Sequence, residues 1–497
     1  MNLQRLIKPL FSILVVLAVL TDGSGAPTSV IAKNGLTHSV LRVQSTNQAY
    51  DFFHPWVKKE SVSRRGVGAL LEGGRILVTA ELIENSNLIE LEKVDAPGKA
   101  TATVELVDFD CNLAILRPDD PTFIEEMVPL RLESGLYSGD EATVVQLEPN
   151  GELAKTTGRI TSVTIGGYPF VNLGLLVFKL SAPLQQRDWS FTLPVVRDGG
   201  LCGLVMRYDS RNQTSELIPP PVIAHFLKEV SSGTYRGFAR LGVSFSPLRD
   251  PQLRQYLGLE GNGGIYVKKV APDSAAAQAG LQKGDVILAI NGKALDQDGN
   301  YEDPDFGKIL FSHLTNTRMH PGDLCEVRVF RDHKPMTLSL RTEVPDEAKQ
   351  PSKAHSGGKP PKYVVLGGLV FMELSRDYLR EWGAAWRDKA PQRLVYFDTF
   401  QDEMPENRGT IVILSQVLPS PGTIGYEHLE NLIVSRVNGR EIKSLEDLVA
   451  AAETPGNGFQ KVEFEEDPKM IYLDAQGILE TSMGLMDQYG LPALQRL

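Results

Sequence analysis

The stretch GIYVKKVAPDSAAAQAGLQKGDVILAINGKAL, residues 264–295, indicates the fold of the middle of the chain more clearly than any other. Asp273 or Ser274 can cap a short alanine-rich helix, because their side-chain oxygens accept hydrogen bonds from the free N–H groups of its first turn. A glycine after this helix ends it, and an Asn-Gly pair further on favours a tight turn. The segment therefore predicts, in order, strand 264–270, helix 275–279, the end of that helix at Gly280, strand 286–290 and a turn at Asn291-Gly292.

This succession closely resembles a PDZ domain, a module that binds the C-terminal end of a peptide as an added β-strand. Upstream, the sequence Arg-Leu-Gly-Val at 240–243 matches the carboxylate-binding loop of that family. Glycine in such a loop lets successive backbone N–H groups point toward the carboxylate, while the following strand offers its edge to the peptide. The resemblance implies peptide-binding residues at Leu241, Gly242 and Val243, and a groove helix near 306–314 with Ile309 and Leu314 lining the pocket.

A second unit of the same kind begins at YVVLGGLVF, residues 363–371. VILAINGKAL at 286–295 resembles IVSRVNGREI at 433–442, and in both an apolar strand ends in an Asn-Gly turn, so the chain contains a repeated module. Residues 367–370, Gly-Gly-Leu-Val, are the corresponding candidate for a carboxylate-binding loop. Whether the second unit binds a peptide stays open at this point.

The composition of the 497 residues is that of a globular protein, since 42% are hydrophobic and 23% are charged, and this excludes a wholly disordered or fibrous chain. At roughly 150 residues per domain the length favours about three domains. The formal net charge of −11, without a basic tract, gives little electrostatic reason to bind nucleic acid. Cys111, Cys202 and Cys325 are too few for a disulfide scaffold or a cysteine-rich zinc site, and no metal or cofactor is expected.

The part of the chain before the first PDZ-like unit consists of many short apolar segments, each closed by Gly, Asp, Asn or Pro. Regular short strands with such turn signals are typical of an all-β barrel or sandwich. Pro219–Pro221 lead into one helix, whose apolar residues recur at helical spacing over 222–230. The predicted organisation is a β-rich domain at 38–232, the two PDZ-like units at 236–343 and 362–497, and a linker rich in Pro, Gly and Ser at 344–361.

The N-terminus has the layout of a secretory signal peptide. Arg5 and Lys8 precede an unbroken apolar run at 10–20, and small residues follow it up to Ala26. A cleaved signal over about 1–25 predicts an exported protein, periplasmic or extracellular. An uncleaved membrane anchor is the less favoured alternative, because the run is shorter than the ~20 residues that span a bilayer.

A signal peptide, a β-rich domain of this length and two PDZ-like units together resemble the HtrA/Deg serine proteases. The resemblance extends over nearly the whole chain after the leader, and it is closest to the Deg branch with a distinctive second PDZ unit. The segments that carry it are 55–83, 359–371, 415–440 and 470–476. It implies a mainly β fold with α+β modules, in which a trypsin-like double β-barrel is followed by two PDZ-like domains, and it implies a homotrimer.

The residues aligned with the family's catalytic triad are not catalytic in type. Glu81 stands where the family has its His after a Thr-Ala pair, and Asn112 stands where it has its Asp. Aligned on Pro194, the family's G-N-S-G-G-P places Phe191 at the serine and replaces the glycines that shape the oxyanion loop. A triad needs a nucleophile, a base that takes its proton, an acid that orients the base and N–H donors for the oxyanion. The sequence therefore predicts a pseudoprotease.

Three other interpretations of the domain are less favoured by its sequence. Ser190 lies one residue from the expected nucleophile, but none of the three histidines in the domain stands in the family's sequence context. Cys202 lies in an apolar strand, where cysteine behaves as a small hydrophobe. Glu81 and Glu84 have no His or Asp partner for a metal, and Trp189 and Phe191 more readily fill a cleft than bind a substrate.

Two functions follow. The first is a non-catalytic, chaperone-like, scaffold or regulatory protein that binds C-termini or exposed strands of other exported proteins through its first PDZ unit. It forms a homo-oligomer, or assembles with an active relative, and the aromatic residues Tyr50, Phe52, Phe53 and Trp56 are a candidate contact. The alternative is a serine endopeptidase of the HtrA/Deg family that acts in protein quality control.

Overall fold

The computed structural model describes residues 35–148, 150–170, 173–185, 191–231, 233–346, 350–405 and 408–497. The predicted leader at 1–25 and the residues Trp189 and Ser190 lie outside the described residues. Within the described ranges, none of the helices has the length and apolar character needed to cross a membrane.

The first six strands close into a barrel with the order β1-β2-β3-β6-β5-β4. Its interior is filled by aliphatic side chains that alternate along the strands, among them Leu41, Val43 and Ile76, which are fully buried. This alternation is what places one side of each strand inside a small barrel. The elements are β1 (Val40–Asn47), β2 (Val62–Leu71), β3 (Arg75–Val78), α1 (Ala80–Ile83), β4 (Ser86–Lys93), β5 (Lys99–Asp108) and β6 (Leu113–Pro118).

The next six strands close into a second barrel with the order β10-β11-β12-β9-β8-β7. Two successive six-stranded barrels confirm the predicted trypsin-like double barrel. Helix α2 (Pro220–Ser231) begins at the predicted proline run and buries Val222, Ile223 and Phe226 against the barrel. The strands are β7 (Glu141–Leu147), β8 (Leu153–Gly167), β9 (Gly174–Ser181), β10 (Leu193–Arg197), β11 (Gly200–Asp209) and β12 (Thr214–Ile218).

The first PDZ unit is built on a sheet with the order β13-β14-β15-β19-β20, in which β16 also pairs with β15. As predicted, Ser274 caps the short alanine-rich helix by accepting a hydrogen bond from the Ala277 amide. The elements are β13 (Val243–Pro247), α3 (Pro251–Tyr256), β14 (Ile265–Val270), α4 (Ala275–Gln278), β15 (Val286–Ile290), β16 (Lys293–Ala294), β17 (Asn300–Asp303), β18 (Gly307–Leu310), the π-helix His313–Arg318, β19 (Leu324–Arg331) and β20 (Lys334–Arg341).

The prediction of a groove helix over 306–314 is wrong in its first half. Residues Gly307–Leu310 form a strand that pairs with β17, and the helix begins only at His313. The cause is Asp303, whose carboxylate accepts hydrogen bonds from the amides of Asp305 and Phe306 and folds the chain into a turn. Side chains of Asp that bind the backbone ahead of them favour turns over helices.

The second PDZ unit contains an eight-stranded sheet with the order β27-β26-β24-β23-β22-β21-β28, in which β25 also pairs with β24. Its core holds Tyr363, Phe371 and Tyr378 fully buried. The elements are β21 (Tyr363–Leu366), β22 (Leu369–Glu373), α5 (Arg376–Leu379), α6 (Trp386–Lys389), α7 (Gln392–Thr399), β23 (Val412–Val417), β24 (Leu432–Val437), β25 (Arg440–Glu441), α8 (Leu445–Ala452), β26 (Phe459–Phe464), β27 (Met470–Asp474), α9 (Ile478–Tyr489) and β28 (Gln495–Arg496).

The first PDZ unit packs on the second barrel. The ring of Phe306 meets that of Phe178 edge to face, with centroids 5.6 Å apart. The side-chain amide of Asn316 donates to the Gly174 carbonyl at 3.3 Å. These contacts hold the π-helix, which is largely buried, and the partly exposed turn of the hairpin β17–β18 against the trypsin-like domain.

The second PDZ unit packs on the first barrel through aromatic residues that the sequence predicted as a contact for assembly between chains. The Phe53 ring lies edge to face with Tyr378 at 5.8 Å and with Trp382 at 4.9 Å. The Trp56 ring meets Tyr363 at 5.8 Å. The aromatic segment 50–56 therefore contacts another domain of the same chain.

Part of the predicted linker 344–361 is also packed. Lys353 pairs with Glu373 at 2.6 Å. The His355 ring lies edge to face with Phe109 and 3.1 Å from an Asp377 carboxylate oxygen. Residues 352–356 are thus fixed to the second PDZ unit, and a free linker does not extend over them.

Candidate functional site

Glu81 and Asn112 meet at the mouth of the first barrel. Glu81 lies in α1, directly after β3, and Asn112 lies between β5 and β6 with a positive φ of 55°. The Glu81 amide donates to the side-chain oxygen of Asn112 at 3.0 Å, and the Ala80 amide donates to the Asn112 carbonyl at 3.1 Å. Asparagine tolerates this left-handed backbone conformation better than most residues. Asn112 therefore holds the backbone of α1 and does not reach a substrate.

Phe191 lies on the opposite side of the cleft, just before β10. Its carbonyl accepts a hydrogen bond from the Thr79 hydroxyl at 2.6 Å, and its amide points at the Arg65 carbonyl, 3.4 Å away. The Phe191 ring faces the Arg64 guanidinium at 5.3 Å. Since the Phe191 amide is engaged with the protein, it is not presented to a developing oxyanion.

A pair of threonines joins the two barrels beside Phe191. The hydroxyls of Thr79 and Thr192 lie 2.6 Å apart, and the Thr79 amide donates to the Thr192 hydroxyl at 2.9 Å. The Thr192 carbonyl accepts from the Val67 amide at 2.8 Å. Both side chains are fully buried, so neither hydroxyl is offered to a substrate.

The cleft retains a cavity of about 230 Å³ between the barrels. Glu81 is its acid, and burial raises the pKa of that carboxyl, with Glu84 adding to the rise and Arg64, Arg207 and Arg380 opposing it. The cavity also holds polar groups that the sequence did not single out, Gln146 and Arg207 among them. Its full lining is Glu81, Gln146, Leu184, Gln185, Phe191, Leu193, Val205, Met206, Arg207 and Tyr208.

The described lining of this cleft carries a carboxyl group, two side-chain amides, a guanidinium group and two aromatic rings. Glu81 and Phe191 line the cleft and Asn112 contacts the Glu81 amide, and none of the three is a nucleophile that a neighbouring base activates. Cys202 is fully buried, and burial raises the pKa of its thiol to about 12, so it is not a thiolate at neutral pH. Ser190 lies outside the described residues. Within the described ranges, no cluster of three or more His, Cys, Asp and Glu side chains is placed to hold a metal.

The other candidate site is the carboxylate loop of the first PDZ unit. Gly242 has a φ of 76°, and a Cβ built on it would lie 2.4 Å from the Ser274 Cβ, so only glycine fits here. The Gly242 carbonyl accepts from the Ala271 amide at 2.8 Å, which fixes the turn. Val243 and the rest of β13 follow at the outer edge of their sheet, while Leu241 is buried beneath.

The predicted pocket residues Ile309 and Leu314 are both buried, the first in β18 and the second in the π-helix. The residue that reaches β13 is Phe311, which the sequence reading missed. Its ring meets the Phe245 ring edge to face at 5.0 Å. The signal for Phe311 in the sequence is its position directly after the apolar pair Ile309-Leu310. The predicted helix placed Ile309 and Leu314 in the pocket instead of Phe311.

The comparisons with known proteins agree with this architecture. Two PDZ-domain family models match, one at residues 239–342 and one at 352–495. The chain is 27% identical over 469 residues to "Protease Do-like 2, chloroplastic" of Arabidopsis thaliana, covering 92% of this chain and 74% of the relative. It is 26% identical over 462 residues to "Protease Do-like 4, mitochondrial" of the same plant, covering 92% and 84%.

A solved structure has the same arrangement of the trypsin-like domain and one PDZ domain. It is an alanine variant of the HtrA-type protease AlgW with a decapeptide, 18% identical, with a TM-score of 0.51, and the match covers 65% of this chain and 98% of that one. At 18% identity, the similarity to this structure supports the fold alone. The double barrel, the two PDZ matches and the Do-like relatives together show a trypsin-like domain followed by two PDZ domains, the architecture in which this chain is similar to the HtrA/Deg proteases.

Proposed function

We propose that this chain is a catalytically inactive member of the HtrA/Deg family that binds C-termini or exposed strands of other proteins through its first PDZ domain. The observation that carries the proposal is that Glu81 and Phe191 line one cleft and Asn112 bonds the Glu81 amide beside it, these three being the residues aligned with the triad.

The loss of turnover that follows removal of triad residues supports catalytic inactivity. In a well-studied serine protease, removing the nucleophile or the base alone lowers turnover on the order of 10⁶-fold. Here a phenylalanine replaces the nucleophile, a glutamate replaces the base, and the amide of Phe191 is turned toward Arg65. Every component of the acyl-transfer mechanism is altered together.

The open edge of β13 supports peptide binding. β13 is the terminal strand of its sheet, and unpaired strand edges accept an extended peptide by main-chain hydrogen bonds. The turn at Gly242 precedes this edge as the carboxylate loop requires, and Phe245 and Phe311 supply apolar surface beside it. The ligand class is therefore a peptide with a free C-terminus.

Inactivity is tested with unfolded casein and a serine-reactive fluorophosphonate, using the full chain, its Ser190→Ala variant and an active HtrA-type protease in parallel. We expect neither labelling nor cleavage by the chain, against complete labelling of the active enzyme. Labelling and cleavage that disappear in Ser190→Ala would overturn the proposal.

That outcome would establish the alternative, a serine endopeptidase acting in protein quality control. The observation in its favour is that the relatives are named proteases. In that case Ser190 would be the nucleophile in place of Phe191.

Peptide binding is tested with a displayed library of random C-terminal decapeptides. Phe245→Ala should weaken retained peptides by more than tenfold, because it removes apolar surface along β13, whereas Ser246→Ala on the alternate side of the strand should stay within about twofold. A Gly242 substitution is a poor probe, since its positive φ and the contact with Ser274 distort the loop whatever the ligand. Equal affinities for both variants would show that β13 is not the site.

Two further parts of the proposal concern location and assembly. Residues 1–25 act as a cleaved leader, so the mature chain is periplasmic or extracellular, and the chain forms a homotrimer or joins an active relative. Light scattering on the purified chain should return three times the mass of one chain, and the N-terminal residue of the exported protein should lie near Ala26. A monomer, or a retained leader, would contradict these parts without affecting the binding proposal.

A further inference from the structure

The second PDZ domain differs from the first at the strand edge where a peptide is expected. In the first domain the backbone of Arg240 forms a β-bridge with the backbone of Glu343. The chain before Gly242 therefore runs away from β13, and the outer edge of β13 stays open. In the second domain the equivalent strand is β22, which follows the glycine pair at 367–368. β22 is an interior strand, since β23 pairs with one side and β21 with the other.

All four residues of β21 pair with β22 in antiparallel orientation. The register runs from Tyr363 opposite Met372 to Leu366 opposite Leu369. This is the orientation in which a peptide adds to the edge of a PDZ strand when its C-terminus meets the glycine loop. Tyr363, Val364 and Val365 are 0%, 6% and 4% exposed, so the strand is embedded and not merely apposed.

The helix side of the groove also contacts β21. Helix α8 follows the Asn-Gly turn of the repeated module and packs against β21 and β22. Val364 of β21 shares a hydrophobic core with Leu445 and Leu448 of α8. Just before the strand, Lys362 pairs with Glu446 of α8 at 2.7 Å. β21 thus joins strand β22 to the helix across the space that a ligand would fill.

In the glycine turn, one of the amides that a carboxylate loop would offer is already bound within the chain. The Gly367 amide donates to the Ser482 hydroxyl at 3.1 Å, and the Gly368 carbonyl accepts from the Leu418 amide at 2.7 Å. Gly367 and Gly368 have φ values of 60° and 104° and form the two-residue turn of the β21–β22 hairpin. The candidate carboxylate loop at 367–370 therefore does not face an open groove, because its glycines join β22 directly to the paired strand β21.

We propose that strand Tyr363–Leu366 is an internal ligand of the second PDZ groove and closes that groove to peptides from other proteins. The second domain then serves as a clamp on the trypsin-like domain, and peptide capture is left to the first. The inference does not depend on whether the trypsin-like domain is inactive, nor on whether the first groove binds.

The first test measures hydrogen exchange in the full chain. Amides of 363–366 and 369–373 should stay protected, with rates unchanged by a saturating amount of any peptide selected from the C-terminal decapeptide library. A peptide that increases exchange at 363–366 displaces the strand and overturns the inference. Changes confined to 240–247 report binding at the first domain and support it.

The second test locks the strand in place with a disulfide between Val365→Cys and Val370→Cys, two residues that face each other in the register. The three native cysteines are buried and not disulfide-bonded, so the introduced pair is the one that titrates. Each single cysteine variant is the matched control. We expect the same number of bound peptides per chain in the oxidised and reduced forms. An additional bound peptide in the reduced form, lost on oxidation, would show that the groove opens.

Discussion

Asp108 is predicted to make the stability of the chain fall as the pH rises from 4 to 7. It lies at the end of β5, where its carboxylate is buried beside Asp110 and accepts a hydrogen bond from the Tyr235 hydroxyl at the entrance to the first PDZ domain. Burial, reinforced by the charge of Asp110, raises the pKa of Asp108 from 3.8 to about 6, against the opposing hydrogen bonds from Tyr235 and the backbone. Arg240 is paired with Asp110 at 2.9 Å and does not neutralise Asp108 directly.

The magnitude follows from the two pKa values. One pKa unit corresponds to about 1.4 kcal/mol, so a shift from 3.8 to about 6 amounts to about 3 kcal/mol. Because the pKa is raised in the folded state, the folded chain binds more protons than the unfolded chain between these values. The stabilisation is thus present below pH 4 and is lost as the pH rises through about 6.

The assay is urea unfolding of the chain and of Asp108→Asn at pH values from 4 to 8. The asparagine stays neutral, so the difference in unfolding free energy between the two proteins should decline by about 2–3 kcal/mol over this range, with its midpoint at roughly pH 5, halfway between the folded and unfolded pKa values. Asp198→Asn, at an aspartate with an 85% exposed side chain, is the control and should change stability by less than about 0.5 kcal/mol throughout. A difference for Asp108→Asn that is flat with pH would refute the reasoning.

Three further changes test the packing of the domains. Arg376→Met should cost about 3–5 kcal/mol of unfolding free energy, because it leaves the buried Asp398 carboxylate without its 3.0 Å partner. The loss should shrink when Asp398→Leu is added, and additive losses in the double variant would contradict this. Phe53→Ala should lower the free energy of unfolding by about 2 kcal/mol and speed proteolysis within 50–59, since it removes the ring contacts with Tyr378 and Trp382. Unchanged proteolysis would show that these ring contacts do not hold the segment. Ser274→Ala should cost about 1 kcal/mol in thermal unfolding by removing the cap of α4, and no loss would mean that the helix is held by packing alone.

The fold was readable from the sequence where local patterns decide it. The barrel strands alternate or are continuously apolar between turn residues, and helix α2 begins at its prolines, so their positions follow from the chain itself. The capped helix α4 and the Asn-Gly turn of the first PDZ domain were likewise determined by neighbouring residues. The gathering of Glu81, Asn112 and Phe191 at one cleft came from the family resemblance, because they are separated by up to 110 positions along the chain.

The differences arose where side-chain hydrogen bonds, near or far along the chain, set the course of the backbone. The turn at Asp303 converts part of the expected groove helix into a strand, and its side chain is bound by Arg318, fifteen residues away. At 367–370 the deciding contact comes from Ser482, more than a hundred residues downstream. The hydrogen bond between Thr79 and Thr192 and the approach of Arg207 to Glu81 were missed because the partners lie far apart along the chain.

The packing of the second PDZ domain has a consequence for how the chain is held together. Arg376 and Arg380 donate to the carbonyls of Phe170 and Pro169, and Lys59 pairs with Glu381 at 2.6 Å, all across the domain boundary. The covalent connection through 346–350 is one of several attachments. A single protease cut there would yield two polypeptides that still migrate as one particle, and separating them would require urea rather than dilution.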